Sequence, residues 1–212
     1  MIVAIVDYGA GNLRSAEKAL AKAADDTGAR VEVTADPERI RKADKIVLPG
    51  VGAFADCKNG LAGLPGMIET LEEQVLKGGK PFLGICVGMQ LMADVGIEFG
   101  ETKGLGWVKG RVVVLDPADR SLRIPQMGWN DLRLKQPDHP VLAGTKPGDH
   151  AYFVHSYHFV ADHPKDVMAD VDYGGPVVAM IGRDNLVGVQ FHPEKSQHVG
   201  LSLLGRFLAW RP

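Results

Sequence analysis

The sequence predicts an α/β fold with a central, mostly parallel sheet to which antiparallel strands are added. Three observations carry that prediction. The short apolar runs of the first half are continuous rather than alternating, as in strands covered on both faces. Helix-like stretches alternate with them, in the order of βαβ units. The second half changes character: strand-like runs follow one another across turn residues, and no long helical pattern returns until the carboxyl end.

Taken in order, Ile2–Val6 (IVAIV) reads as the first buried strand, 46–48 (IVL) as the next and 82–85 (FLGI) as the third. Leu13–Ala24 and 66–76 carry helical patterns between them, and 88–95 reads as a helix after the third strand. The crossovers should be right-handed. Residues 110–115 (GRVVVL), 151–160 (AYFVHSYHFV), 177–181 (VVAMI) and 186–191 (LVGVQF) read as strands, and 199–210 as the closing helix. No linker, repeat or low-complexity stretch interrupts them, so residues 1–212 read as one domain.

Composition excludes several classes. With 45% hydrophobic, 24% charged and 7% aromatic residues, the chain is not disordered, collagen-like or a coiled coil. Its 24 basic and 26 acidic residues form no dense basic run, so no nucleic-acid footprint is expected. The longest amino-terminal apolar run, residues 1–6, is cut by Asp7. It is too short to span a membrane and lacks a signal peptide's basic flank and cleavage site. Two cysteines, Cys57 and Cys86, make no disulfide framework, and a reducing, cytoplasmic setting is expected.

Chemistry enters at residues 84–88, Gly-Ile-Cys-Val-Gly. An apolar run ends at Cys86 and a helical pattern follows, with glycines two residues away on either side. This spacing is a cysteine version of the nucleophile elbow. A nucleophile on a sharp strand-to-helix turn has a strained backbone, and neighbours bearing side chains would collide there. The turn projects the sulfur beyond the carboxyl end of the sheet, where the N–H groups of the next helix favour its anionic form. The backbone N–H of Val87 is placed to donate to an oxyanion. Cys57, in Ala-Asp-Cys-Lys-Asn, has no such surroundings and reads as a small buried hydrophobe.

A nucleophilic cysteine needs a base held by a third group. Of the seven histidines (His139, His150, His155, His158, His163, His192 and His198), His192 is the informative one. It ends an apolar strand in Phe-His-Pro-Glu-Lys-Ser, with Glu194 two residues on. Residues two apart in an extended segment face one side, and Pro193 holds His192 toward the extended region. The carboxylate can then fix the tautomer and stabilise imidazolium. Around Cys86 no close pair of ligand residues suits zinc.

Residues 84–90 (GICVGMQ) and 191–196 (FHPEKS) together closely resemble the motifs of the class I (triad) glutamine amidotransferases. Cys86, His192 and Glu194 match that family's Cys-His-Glu triad in its chain order. Residues 7–13 (DYGAGNL), 48–52 (LPGVG), 125–130 (PQMGWN) and 152–157 (YFVHSY) narrow the resemblance to the branch forming the glutaminase subunits of imidazole glycerol phosphate synthases, over residues 1–212. One departure is Val87, where the family commonly has Leu. A backbone role is indifferent to that change.

The resemblance implies a flavodoxin-like, three-layer fold. It implies that Cys86 attacks the side-chain amide of glutamine, that His192 moves the proton and that Glu194 orients His192. The loop 49–52 would supply a second oxyanion donor from Val51 or Gly52, beside that of Val87. Gly52, Gln90, Ser156 and Tyr157 would hold the glutamine. The ammonia would pass to a (β/α)₈-barrel cyclase subunit, in a heterodimer making imidazole glycerol phosphate and aminoimidazole carboxamide ribotide for histidine biosynthesis. Asn12, Met127, Trp129 and Lys195 match positions at or near that interface. Neither a metal nor another cofactor is implied. Members of the family are nearly inactive until the cyclase binds its ligand, so the loop 49–52 is expected to turn an N–H inward on partner signalling.

Three rivals are weaker. Tyr8-Gly9-Ala10-Gly11 after the first strand suggests a dinucleotide site, but the third glycine position holds Arg14. A stand-alone cysteine hydrolase or stress-related chaperone of similar fold would not need the His-Pro-Glu unit. Residues 7–13 and 125–130 argue against other class I amidotransferases, such as the glutaminase of pyridoxal phosphate synthase or an anthranilate synthase component.

Overall fold

A computed structural model describes residues 1–25 and 27–212. The first half alternates as expected: β1 (Ile2–Val6), α1 (Leu13–Ala24), β2 (Arg30–Thr34), α2 (Pro37–Lys42), β3 (Lys45–Gly50), α3 (Phe54–Ala62), α4 (Met67–Leu71), β4 (Phe82–Cys86) and α5 (Val87–Gln90). In α1 the buried residues Ala16, Ala19, Leu20 and Ala24 recur at helical spacing, so one stripe faces the core. Two local devices start α2: the Asp36 carboxylate accepts from the Glu38 N–H at 2.9 Å, and Pro37 fills the first helical position. Helix α4 runs on into a π-helical stretch, Glu72–Lys77.

The second half holds β5 (Val95–Ile97), β6 (Glu101–Lys103), β7 (Gly110–Val114), β8 (Gln126–Asp131), β9 (Arg133–Leu134), β10 (His150–His155), β11 (Tyr157–Ala161), β12 (Val167–Asp172), β13 (Pro176–Arg183), β14 (Leu186–Val189) and α6 (Gln197–Ala209). Among the described residues, eight strands form one sheet in the order β2-β1-β3-β4-β14-β13-β12-β9. From β2 to β14 neighbours run parallel, and β13, β12 and β9 join antiparallel. Every residue of β3, β4 and β14 is buried, so the centre of the sheet is covered on both faces. Helix α1 packs with α6, and α3 packs with α4 and α5. Six phenylalanines (Phe54, Phe82, Phe153, Phe159, Phe191 and Phe207) are wholly buried in the core.

Two expectations are corrected. The helix after Cys86 is one turn, Val87–Gln90, not 88–95. The carbonyls that would continue it are taken by another segment: Leu105 N–H bonds Leu91, Trp107 and Val108 bond Met92, and Gly106 bonds Ala93. Residues 151–160 are not one strand. The chain breaks at Ser156, with β10 pairing to β8 and β11 to β7 in separate small sheets.

Candidate active site

Topology brings the two key loops together. In the parallel ladder Gly50 is the register partner of Cys86, and Val189 that of Ile85. The loop 49–52, the elbow and the segment after β14 therefore emerge side by side at the carboxyl ends of the strands, where open α/β sheets bind their ligands. A cavity of about 770 Å³ opens there. Of the residues singled out in the sequence, Asn12, Val51, Gly52, Cys86, Val87, Gln90, Ser156, Tyr157, His192 and Lys195 line it.

Cys86 sits at φ 53° and ψ −113°, between β4 and α5. A non-glycine residue held there costs on the order of 1–3 kcal/mol, retained only when its surroundings impose it. Those surroundings need small neighbours. A Cβ on Gly88 would overlap the Leu48 carbonyl oxygen, and one on Gly84 would lie 2.7 Å from the Gly88 oxygen. The glycines let α5 press against β3 and β4, and that pressure sets the angle of the elbow.

His192 Nδ1 donates to Glu194 Oε1 at 2.7 Å, which leaves Nε2 for the sulfur. The geometry differs from the extended segment expected: Pro193–Lys195 forms a 3₁₀ turn, because proline suits the first position of a helical turn. Glu194 reaches the imidazole from inside that turn. His192 is itself held at both backbone groups. Its N–H bonds the Tyr152 carbonyl at 3.0 Å, and its carbonyl accepts from the Ser196 hydroxyl at 2.7 Å. Burial alone would pull the imidazole down, but hydrogen bonding and Coulombic attraction with Cys86 and Glu194 outweigh it and raise His192 to about 9. The ring is therefore an imidazolium at neutral pH. Burial pushes the Glu194 carboxyl up, yet the His192 contact, helped by Asn12, holds it below the ordinary carboxylate range.

Asn12, matched above to a partner-facing position, spends its amide here: Nδ2 donates to Glu194 Oε1 at 2.5 Å. It sits at φ 71°, a left-handed conformation that asparagine tolerates better than most residues. Glu194 is thus fixed by a residue about 180 positions away in sequence.

Sequence reasoning missed Gln190. Its side chain is wholly buried, and its Nε2 points at Cys86 Sγ at 3.7 Å. Its Oε1 accepts from Gln90 Nε2 at 3.0 Å, and the same Gln90 nitrogen donates to the Tyr157 carbonyl at 2.9 Å. A chain of amides therefore links the strand edge at Tyr157 to Cys86. The available signal was a lone glutamine in an apolar strand, LVGVQF. His155 belongs to the same edge: its Nδ1 donates to the Tyr157 carbonyl at 2.8 Å, and burial pulls it down to about 4, so it is neutral at physiological pH.

His155, Ser156 and Tyr157, at the break, line the cavity together with Val51. Met127 and Trp129 lie outside the cavity, on β8, with 64% and 43% of their surface exposed. Trp129 packs edge-on against Tyr152, and the Lys195 ammonium lies 5.7 Å from the same Tyr152 ring. Phe99, on the cavity rim, is 97% exposed. No helix among the described residues is long and apolar enough to cross a membrane.

Comparison with known proteins shows the family. Residues 4–209 match the family model for glutamine amidotransferase class-I. The chain is 58% identical over 214 residues to a protein of Rhodospirillum rubrum, and 57% identical over 217 residues to one of Rhizobium meliloti. Both carry the name imidazole glycerol phosphate synthase subunit HisH, and both alignments cover all of each chain. A crystal structure of a glutamine amidotransferase superposes with a TM-score of 0.73 at 18% identity, covering 99% of this chain and 98% of the other. A glutamine amidotransferase from Thermotoga maritima gives 0.67 at 15% identity, covering 92% and 76%.

Proposed function

The chain belongs to the class-I glutamine amidotransferase family, as a glutaminase subunit of the imidazole glycerol phosphate synthase kind serving histidine biosynthesis, and from that premise we propose how its residues divide the work. Cys86 Sγ bonds to the side-chain carbonyl carbon of glutamine. The carbonyl oxygen becomes an oxyanion, facing the Val87 N–H and a donor from the loop 49–52. The carbon–nitrogen bond then breaks, and His192 gives the departing nitrogen its proton, releasing ammonia. Water, deprotonated by His192, hydrolyses the thioester to glutamate and frees the sulfur. Glu194 keeps the imidazolium oriented throughout, and the wall at Gly52, Gln90, Ser156 and Tyr157 holds the glutamine. The observation that carries this reading is the His192–Glu194 pair beside a cysteine at positive φ, all at the carboxyl end of a parallel sheet.

The partner is a (β/α)₈-barrel cyclase subunit that consumes the ammonia. Ammonia released to water at neutral pH would take up a proton and lose its nucleophilicity, so a docked acceptor makes chemical sense. The exposed Phe99, Met127 and Trp129, with Lys195, give a docking face beside the cavity. Aromatic residues and methionine are enriched at such interfaces. The match over residues 4–209 supports one glutaminase domain. Two free cysteines suit the reducing cytoplasm.

The test measures glutamate release with and without the cyclase subunit and its ligand, in wild type and Cys86→Ala. The proposal expects partner-dependent release that Cys86→Ala abolishes, while cyclase activity supplied with ammonium salts persists. Glutamate release surviving the substitution would sink the assignment.

A further inference from the structure

Ser196 stands at the amino-terminal cap of α6, where a serine ordinarily accepts a hydrogen bond from a backbone N–H of the first helical turn. It makes no such bond. The residue is wholly buried, and its hydroxyl is spent elsewhere. It donates to the His192 carbonyl at 2.7 Å and accepts from the Tyr152 N–H at 3.0 Å. Chemistry fixes the sense of both bonds, since a carbonyl can only accept and an N–H can only donate.

A third bond closes the ring: the His192 N–H donates to the Tyr152 carbonyl at 3.0 Å. In an antiparallel ladder a hydrogen-bonded pair of residues exchanges two direct N–H···O bonds. His192 and Tyr152 make one of these directly. The other runs from the Tyr152 N–H through the Ser196 hydroxyl to the His192 carbonyl. An oxygen atom is therefore inserted between the two chains on one side only, and it splays His192 away from β10 at its carbonyl end. That end leads into the Pro193–Lys195 turn, which carries Glu194. Helix α6 presses on the turn from behind, for a Cβ on Gly200 would overlap the Pro193 carbonyl oxygen. Strand β10 ends at His155, and the residues that follow, Ser156 and Tyr157, line the cavity. The strand that holds His192 thus leads directly into a wall of the glutamine site.

We propose that Ser196 is a positioning residue for the glutaminase reaction, a hydroxyl relay that sets the spacing between β10 and His192 and so aims the imidazole at Cys86. Without the hydroxyl, the Tyr152 N–H and the His192 carbonyl lose their shared partner. A direct bond between them draws His192 toward β10 and swings the ring off the sulfur. Misplacing a reacting group by about 1 Å can cost about 10²-fold in rate. The inference rests on the glutaminase reading above. It adds to the three residues proposed for the chemistry a fourth that touches no reacting atom.

The experiment uses the complex with the cyclase subunit and compares wild type, Ser196→Ala and Ser196→Thr, the last of which keeps the hydroxyl. Glutamate release is measured as kcat and KM from pH 6 to 10, and gel filtration and a thermal melt report assembly and folding. The titratable groups around the ring are Cys86 on the elbow, Glu194 in the turn and His155 at the end of β10. His155, pulled down to about 4, stays neutral across this range. His192 is raised to about 9 by its contacts with Cys86 and Glu194, so a ring swung off the sulfur loses part of that support. Ser196→Ala should lower kcat by about 10- to 100-fold, leave KM within about twofold, and move the alkaline limb of kcat down by roughly half a pH unit or more. A loss of helix stability alone would lower the melting temperature and leave the limb where it is. Ser196→Thr should hold kcat within about fivefold of wild type, with the limb back near its wild-type position. The proposal is overturned if Ser196→Ala keeps wild-type kcat, if its kcat falls while the alkaline limb stays in place, or if Ser196→Thr, folded and assembled, is as slow as Ser196→Ala. A wild-type complex that releases no glutamate overturns the glutaminase reading itself and the relay with it.

Discussion

Replacing Gln190 with methionine removes one donor from the nucleophile and changes little else. Methionine nearly matches the side chain in length and volume, and the site is wholly buried. The amide cannot turn around to compensate, because its Oε1 is already taken by Gln90 at 3.0 Å, which aims Nε2 at the sulfur. A hydrogen bond of this kind contributes about 0.5–1.5 kcal/mol. At a nitrogen–sulfur distance of 3.7 Å about 1 kcal/mol, or roughly a fivefold loss in kcat, is expected. Gln90 loses an acceptor but keeps the Tyr157 carbonyl, which limits the stability cost to about 1–2 kcal/mol. The assay is the initial rate of glutamate release by the complex at saturating glutamine, alongside a thermal melt. Gln190→Glu is the companion variant: it keeps the acceptor for Gln90 but sets a carboxylate against the sulfur, so it should lose more, about 100-fold. Wild-type kcat in Gln190→Met, or Gln190→Glu no slower than Gln190→Met, would refute the claim that this amide acts on the sulfur.

Other outcomes follow from the same geometry. Because His192 is raised to about 9, kcat should fall as pH rises through about 9, where the imidazolium that protonates the leaving ammonia is lost. A profile from pH 5 to 10 that stays flat through 9 contradicts this. Asn12→Ala removes a donor that helps hold the Glu194 carboxyl down, so the acid limb of that profile should move upward and kcat drop by about tenfold. An unchanged acid limb would exclude Asn12 from the triad's support. His155 is pulled down to about 4 from an unfolded value near 6.5, so the unfolded chain takes the proton first as pH falls. Its contribution to stability is intact above about 6.5 and is lost progressively toward 4. Denaturation midpoints across that range should depend less on pH in His155→Asn than in wild type.

Much of the site could be read from local spacing, and what escaped depends on contacts through space. Glycines two residues either side of Cys86 encode the elbow locally, because the steric demand is made by the immediate chain. His192 and Glu194 were legible for the same reason, although the turn between them is 3₁₀ rather than extended. Asn12 and Gln190 act through partners about 180 and 100 residues away, and no spacing rule reports that. The helix expected over 88–95 carries a good apolar pattern, yet its later carbonyls are claimed by residues 105–108, and tertiary pairing overrides propensity. The break at Ser156 escaped because apolar residues continue on both sides of it. Only the change of pairing partner, from β8 to β7, marks the corner. Strand β2 (RVEVT) alternates plainly but is only half-buried at the sheet edge, so it lacks the continuous apolar run that marks the central strands.

Each of the three residues proposed for the chemistry is held by partners of its own. The nucleophile is fixed by a backbone at φ 53° and by a buried amide. The imidazole is fixed by Glu194, by the Tyr152 carbonyl and by the Ser196 hydroxyl. Glu194 is fixed by Asn12. Moving any of these would break a buried hydrogen bond, at about 1–3 kcal/mol each. Removing a single oxyanion donor costs about 2.7–4 kcal/mol at the transition state. With Cys86, His192 and Glu194 each held by buried contacts of their own, the loss of an oxyanion donor should therefore show in the rate and leave the packing of these three residues as it is.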